Sequence, residues 1–416
     1  MLATDPLSTT YSSVGETVVT LSLARRADHF PDRTAVVDSS EQRLSDPTET
    51  IHEDRVSYQE LSTLAERIAE RLAARGIAAG DTVCLVTRNR VVALALWFAC
   101  RRLGATFAPI SHLLTPASVK RPFDVLEPDL VVAEAAQRDL VRSIPFDRAV
   151  TLEALAETEG EPIDRNERST DATPALALHG ESGRPVASYS ATAIERNCIT
   201  GVVAWGLAAN DVVPLPMPLS TADGLVRVAL SVLYVGGTLL LDRAFDPGDA
   251  TTAMVAADAT LLIGRKRAIR DIAAESGFDN AVDSLERIIC EGPIGDETTA
   301  AYRDRDVPVV PVYGRLECPT VMSGRFDSNR PRPNDSGGTG VGRPVPGCRA
   351  RLVDDEGTAL EGAADGKLQL SGPMLADGYV DSPDIDAADD RGRFVDGWFH
   401  TGDRFHRDEA GTYHLR

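Results

Sequence analysis

Residues 57–110 read SYQELSTLAERIAERLAARGIAAGDTVCLVTRNRVVALALWFACRRLGATFAPI. Ser57 and Glu60 have the spacing of a capping box, in which each side chain bonds the other's free backbone N–H. Leu61, Leu64, Ala65, Ile68 and Leu72 follow on one helical face, and Gly76 closes the helix. Val83–Val86 reads as a buried strand, Val91–Leu103 as a mostly apolar helix ending at Gly104, and Phe107–Ile110 as the next strand. Helix alternating with short apolar strand predicts a layered α/β fold with a largely parallel sheet.

The pattern continues outward. Leu130–Ala133 reads as a further strand, and the acidic, polar stretch Glu157–Pro174 as a linker. A second α/β run places strands at Val212–Leu215, Thr238–Leu241, Thr260–Ile263, Arg287–Cys290 and Val307–Val312. Helices are expected at Gly224–Tyr234 and Lys266–Glu275. From the loop Asp327–Gly338 the texture changes to short strands such as Ala350–Val353 and Lys367–Leu370, split by turns. The expected division is a first α/β subdomain over 1–170, a second over 171–326 and a β-rich one over 327–416.

The bulk chemistry excludes some partners. A formal net charge of -20 over 416 residues repels nucleic acid and anionic membranes. No stretch nears the ~20 apolar residues of a membrane span. The only lysines are Lys120, Lys266 and Lys367, and an acidic surface so poor in lysine resembles halophilic adaptation. The six cysteines, Cys84, Cys100, Cys198, Cys290, Cys318 and Cys348, form no CxxC pair and lie in or near apolar runs. They read as free buried thiols of a cytoplasmic protein.

Three stretches could carry chemistry. His179-Gly180-Glu181-Ser182-Gly183-Arg184-Pro185 has the glycines and hydroxyl that let backbone N–H groups wrap a phosphate, although a plain surface turn explains it as well. Tyr313-Gly314-Arg315-Leu316-Glu317 follows an apolar strand, where an aromatic face and a carboxylate meet ligands in α/β sheets. A core tyrosine beside a solvated glutamate is the blander account. Gly397-Trp398-Phe399-His400-Thr401-Gly402-Asp403 ends on a carboxylate able to accept two ribose hydroxyls, or simply to make an Asx-turn.

Together and in order, these stretches resemble the adenylate-forming superfamily of acyl-CoA synthetases and luciferases, specifically its large N-terminal domain. Further matching pieces are Gly80-Asp81-Thr82-Val83, Gly104–Pro109, Glu291-Gly292-Pro293-Ile294 and Gly340–Gly347. The resemblance implies activation of a carboxylic acid with ATP to acyl-AMP and pyrophosphate, with CoA as the acceptor in many members. By motif, Tyr313 and Gly314 border the adenine, with Tyr313 stacking on it, and Gly292 lines the same pocket. Asp403 binds the ribose hydroxyls. Gly180, Ser182 and Gly183 form the phosphate loop, and Glu317 is the catalytic residue holding Mg²⁺.

The departures are specific. Val186 stands at the phosphate-loop lysine position, Leu316 at a threonine position and Ser220-Thr221 at a Phe-His position. Glu181 puts a carboxylate where triphosphate would lie. A like-charge pair at ~4 Å and an effective dielectric near 20 costs about 4 kcal/mol, so Glu181 either points away or is offset by Arg184. The sequence stops at Arg416, about where the resemblance places a hinge. The expectation is that the mobile C-terminal domain, with its adenylation lysine, is absent. Two functions are therefore expected. One is a ligase of reduced activity or completed by a separate C-terminal partner chain, and the other is a non-catalytic nucleotide- or acyl-binding relative acting as regulator or scaffold. The acyl pocket is expected within Trp205–Gly237 and Tyr313–Met322. Asp223 lies near the aspartate position of amino-acid-activating relatives but not clearly at it, which favours a simple carboxylic acid.

Overall fold

The computed structural model describes residues 21–38, 55–144, 146–163, 174–325, 340–380 and 393–416. Most of the expected linker and the whole of the loop Asp327–Gly338 lie outside these residues. The capping box forms as read. The Ser57 hydroxyl accepts from the Glu60 N–H at 3.2 Å and the Glu60 carboxylate accepts from the Ser57 N–H at 2.7 Å. The helix it starts runs Tyr58–Ala74. The next helix is Val91–Leu103, stopped by Gly104 in the left-handed conformation.

Three sheets organise the chain. The first has seven strands in the order Gly378–Tyr379, Val186–Tyr189, Leu176–His179, Thr106–Ser111, Thr82–Thr87, Leu130–Ala133, Ala149–Thr151. Its five strands from Leu176–His179 to Ala149–Thr151 pair in parallel. Both faces are covered, which is why its strands read as unbroken apolar runs. Val83 and Leu85 pack with Leu61, Ile68, Leu94 and Trp97, while Cys84 and Val86 pack with Val119, Phe123 and Val141 on the other side.

A four-stranded sheet joins Arg55–Ser57 and Thr34–Asp38 to Thr238–Leu241 and Val212–Pro214. The third sheet starts with parallel Leu261–Arg265, Arg287–Glu291 and Val309–Arg315. It continues antiparallel through Cys318–Ser323, Gly340–Pro344, Tyr413–Leu415, Trp398–Arg407, Ala364–Ser371, Arg349–Val353 and Ala359–Leu360. The fold is thus α/β with parallel sheets passing into a β-rich part. The sheets do not break at residues 170 and 326. Leu176–Tyr189 belongs to the first sheet, and the β-rich strands extend the third.

One element differs in kind. The helix expected at Gly224–Tyr234 is a π-helix over Asp223–Leu230 followed by an α-turn at Ser231–Val235. Every residue from Asp223 to Val235 is buried, so no polar stripe exposes the wider coil to a periodicity argument. All six cysteines are free and buried, and among the described residues no helix is long and apolar enough to cross a membrane.

Candidate active site

The carboxyl ends of the three parallel strands in the third sheet form one edge. Arg265 pairs in register with Glu291, and Glu291 with Val312, so Arg265, Glu291-Gly292 and Tyr313–Glu317 line up side by side. Gly292 donates its N–H to the Val312 carbonyl at 2.7 Å. Its φ of +73° suits glycine, and a Cβ there would sit 2.8 Å from Cε of Lys266.

Asp403 reaches this edge from the strand Trp398–Arg407. The Tyr313 hydroxyl donates to its Oδ2, and Arg315 Nη1 donates to the same oxygen at 2.5 Å. The Tyr313 ring stands edge-on to Phe405 with centroids 5.0 Å apart. Burial, followed by the facing Asp403 carboxylate, pushes the Tyr313 hydroxyl well above its usual pKa, so it remains a donor. Arg315 also donates Nε–H to Glu317 Oε2 at 3.3 Å, and the Tyr379 hydroxyl donates to Glu317 Oε1 at 2.5 Å. Both Glu317 oxygens are engaged, and its side chain is only 3% exposed. Asp403 is therefore joined to Tyr313 and Glu317, some ninety residues earlier in the chain, with Arg315 as the link to Glu317.

Beneath them lies an ion cluster. Arg227, on the π-helix, donates Nε–H to the Pro319 carbonyl at 2.7 Å and lies 3.0 Å from Asp223 Oδ1 and 3.5 Å from Glu291 Oε2. A methyl group at Gly314 would overlap both this guanidinium and the Pro319 carbonyl, so the motif glycine is a packing requirement. Arg265 joins Asp223 at 3.1 Å, Glu291 at 3.6 Å and Glu181 at 3.1 Å. Burial opposes the Asp223 charge, but Arg227 and Arg265 outweigh it and hold that carboxyl low. Burial and then Asp223 push the Glu291 carboxyl up. With two arginines on its carboxylate, Asp223 is already neutralised and is a poor receptor for a substrate ammonium.

The glycine loop is the turn of an antiparallel pair, Leu176–His179 and Val186–Tyr189. Gly180 donates N–H to the Pro185 carbonyl at 2.8 Å and Gly183 to the Gly180 carbonyl at 2.9 Å. Gly183 has φ +87°, and a Cβ there would lie 2.7 Å from the Ser118 carbonyl oxygen. The Ser182 hydroxyl donates to the Arg184 carbonyl at 3.3 Å. His179 braces the loop. Its Nε2 accepts the Ser111 N–H at 3.0 Å, which leaves Nδ1–H to donate to the Gly180 carbonyl at 2.7 Å. Burial lowers its pKa, in keeping with that neutral tautomer. Glu181 is offset, by Arg265 and not by Arg184, whose Nε–H instead meets the Arg121 carbonyl at 3.5 Å. Val186 is 2% exposed and packs into the apolar core of the first sheet.

Nucleotide chemistry fits these residues. An aromatic ring, a carboxylate one-third exposed at Asp403 and a glycine turn beside a lysine share one edge, with the glycine loop tied to it through Glu181–Arg265. A divalent ion at Glu317 fits poorly as the side chains stand, because each oxygen already accepts a hydrogen bond and the side chain is 3% exposed. Among the described residues no three His, Cys, Asp or Glu side chains gather as a metal set. The sequence reading missed Arg315, Arg265, Arg227 and Tyr379. Arg315 stood inside a quoted motif, and Arg227 is four residues after Asp223, an available spacing signal. Arg265 and Tyr379 carried none.

Comparison with known proteins adds the lineage. Residues 23–380 match the family described as AMP-binding enzyme. The indoleacetate–CoA ligase of Aromatoleum aromaticum is 29% identical over 375 residues, covering 86% of this chain and 72% of its own. A feruloyl-CoA synthase of an Amycolatopsis species is 28% identical, covering 86% and 73%. Among solved structures, the O-succinylbenzoate coenzyme A synthetase of Bacillus subtilis in complex with AMP superposes with a TM-score of 0.80 at 18% identity, covering 95% of this chain and 97% of that one.

Proposed function

The chain belongs to the AMP-binding enzyme family, as the large N-terminal domain of an adenylate-forming ligase, and on that premise we propose that it binds ATP and activates a carboxylic acid to acyl-AMP, with CoA as acceptor. The observation that carries this reading is the junction of Tyr313 and Asp403, ninety residues apart, at the carboxyl edge of the third sheet. In it Tyr313 and Gly292 border the base, Asp403 takes the ribose hydroxyls, and the backbone of Gly180–Gly183 faces the phosphates. N–H donors and cations around the departing pyrophosphate stabilise the charge that develops there. The named CoA ligases it is similar to support a carboxylic acid, and the neutralised Asp223 supports one without an α-ammonium. A cytoplasmic setting rich in salt belongs to the same reading, resting on composition.

A second reading is binding without catalysis. It is favoured by Val186, whose side chain is packed in the core where a phosphate-facing lysine is expected, and by Leu316. A further cation brought by a related C-terminal domain would reconcile the two.

Calorimetric titration with ATP and with AMP tests the first reading. Micromolar binding is expected, weakened about ten- to a hundredfold by Asp403→Ala, the loss expected for a hydrogen bond to a charged group. Folded protein that binds neither nucleotide would sink the reading. Pyrophosphate release with added carboxylic acids, alone and with a related C-terminal domain, then separates ligase from binder.

A further inference from the structure

We propose that Arg315 is the resident cation of this site, standing at Glu317 where the family resemblance calls for Mg²⁺, so that nucleotide binding here is independent of divalent metal. The inference rests on the nucleotide reading above for its ligand, but its geometry stands alone.

Mg²⁺ demands near-octahedral oxygen coordination at about 2.0–2.1 Å, using one or two carboxylates with substrate phosphates and water. Each Glu317 oxygen is already engaged. Oε1 takes the Tyr379 hydroxyl and Oε2 takes Arg315 Nε–H, behind a side-chain exposure of 3%. The same guanidinium reaches Asp403 through Nη1, so one positive charge spans the carboxylates expected for metal and for ribose. These contacts use Nε and Nη1. The Arg315 side chain is 27% exposed, so the site is not sealed from an anionic ligand.

The charge count agrees. Glu317 and Asp403 bring two negative charges to a pocket that must admit phosphate. Arg315 cancels one without requiring a metal to be captured and dehydrated. Its positive charge is permanent at any working pH: burial opposes that charge, but the facing Tyr313, Glu317 and Asp403 outweigh the burial and raise its pKa further. Its planar fork matches phosphate oxygens as well as carboxylates. Tyr379 braces the arrangement from the edge strand Gly378–Tyr379, so its two supports come from two sheets.

The test is calorimetric titration of ATP and AMP into wild type and Arg315→Met, each in Mg²⁺ and in EDTA. The wild type is expected to bind equally well in both media, within about threefold. Arg315→Met is expected to lose about ten- to a hundredfold in EDTA and to recover part of that in Mg²⁺, which takes the vacated place. Wild-type binding that requires Mg²⁺, or Arg315→Met binding as tightly as wild type in EDTA, overturns the proposal. A second arm needs no nucleotide. Mn²⁺ titrated into wild type and followed by electron paramagnetic resonance should stay free, and a bound Mn²⁺ lost in Glu317→Gln also overturns it. If neither nucleotide binds under any condition, the functional reading falls by itself and the Mn²⁺ arm decides the role of Arg315.

Discussion

At the scale of single residues, the site is defined by what its side chains already hold. The Asp403 carboxylate has a tyrosine hydroxyl and a guanidinium on one oxygen, so in the proposed function a ribose would meet a partly satisfied acceptor. Tyr313→Phe removes one donor and leaves the ring, so nucleotide affinity is expected to change less than about threefold, while Asp403→Ala weakens it strongly. Equal losses in the two variants by calorimetry would mean that the hydroxyl, and not the ring, carries the contact. Gly314 is constrained differently. Gly314→Ala would press a methyl into the Pro319 carbonyl and the Arg227 guanidinium, neither of which has room to retreat. The expected cost is about 1–3 kcal/mol in urea unfolding, as for overpacked cores. An unchanged midpoint would show that both the Pro319 backbone and Arg227 can give way. That Tyr313, Glu317 and Asp403 would be candidates was legible from their motifs. Their arginine partner, Arg315, was not, because an arginine beside a glycine has no pattern until the fold supplies its carboxylates.

At the scale of elements, local chemistry read well wherever a cap or a breaker was present. The Ser57 and Glu60 side chains start a helix, and Gly104 ends one through its left-handed backbone. The π-helix at Asp223–Leu230 was not legible, since a segment buried on all sides has no period to read. Strand ends in the first sheet hold a polar cluster of the same hidden kind. Glu134, just past Leu130–Ala133, accepts from Arg88 at 3.0 Å, Arg90 at 3.1 Å and Thr87 at 3.1 Å. Burial opposes its charge, yet the Arg88 bonds and the fields of Arg88 and Arg90 hold its carboxyl down at about 2. A depressed folded-state pKa contributes stability that is present above the unfolded value near 4.3 and is lost as pH falls towards about 2. Glu134→Gln removes the shared carboxylate from Arg88 and from the Arg90 guanidinium, whose side chain is 2% exposed. It should cost about 2–4 kcal/mol at pH 7, the stability tied to holding the carboxyl near 2 in place of its unfolded value. The gap between variant and wild type should narrow as pH drops from about 4.3 towards 2. Urea midpoints at pH 7 and pH 3 measure this, and a gap of the same size at both would remove Glu134 as its cause.

At the scale of the whole molecule, pairing over long separations decides what sequence alone cannot. Thr34–Asp38 lies parallel to Thr238–Leu241, and Tyr379 joins the sheet begun at Thr82, so no boundary drawn along the chain follows the sheets. What the sequence does state at this scale is charge. A net charge of -20, with three lysines in the whole chain, makes the compact state repel itself. Ion pairs relieve this only locally. Arg227 and Arg265 together face three carboxylates, and the cluster keeps a net negative charge if all are ionised. Screening should therefore matter more here than for a neutral protein of the same fold. The Debye length falls from about 10 Å at 0.1 M to about 3 Å at 1 M. Melting temperature is expected to climb by roughly 1–2 °C over that range of KCl, as about 1–2 kcal/mol of repulsion is removed. Most of the rise should come below about 1 M, where the screening length still exceeds the spacing of neighbouring surface charges. A steady rise continuing to several molar would instead indicate salt exclusion from apolar surface acting on burial. A flat or falling curve would mean that self-repulsion is not what limits this fold.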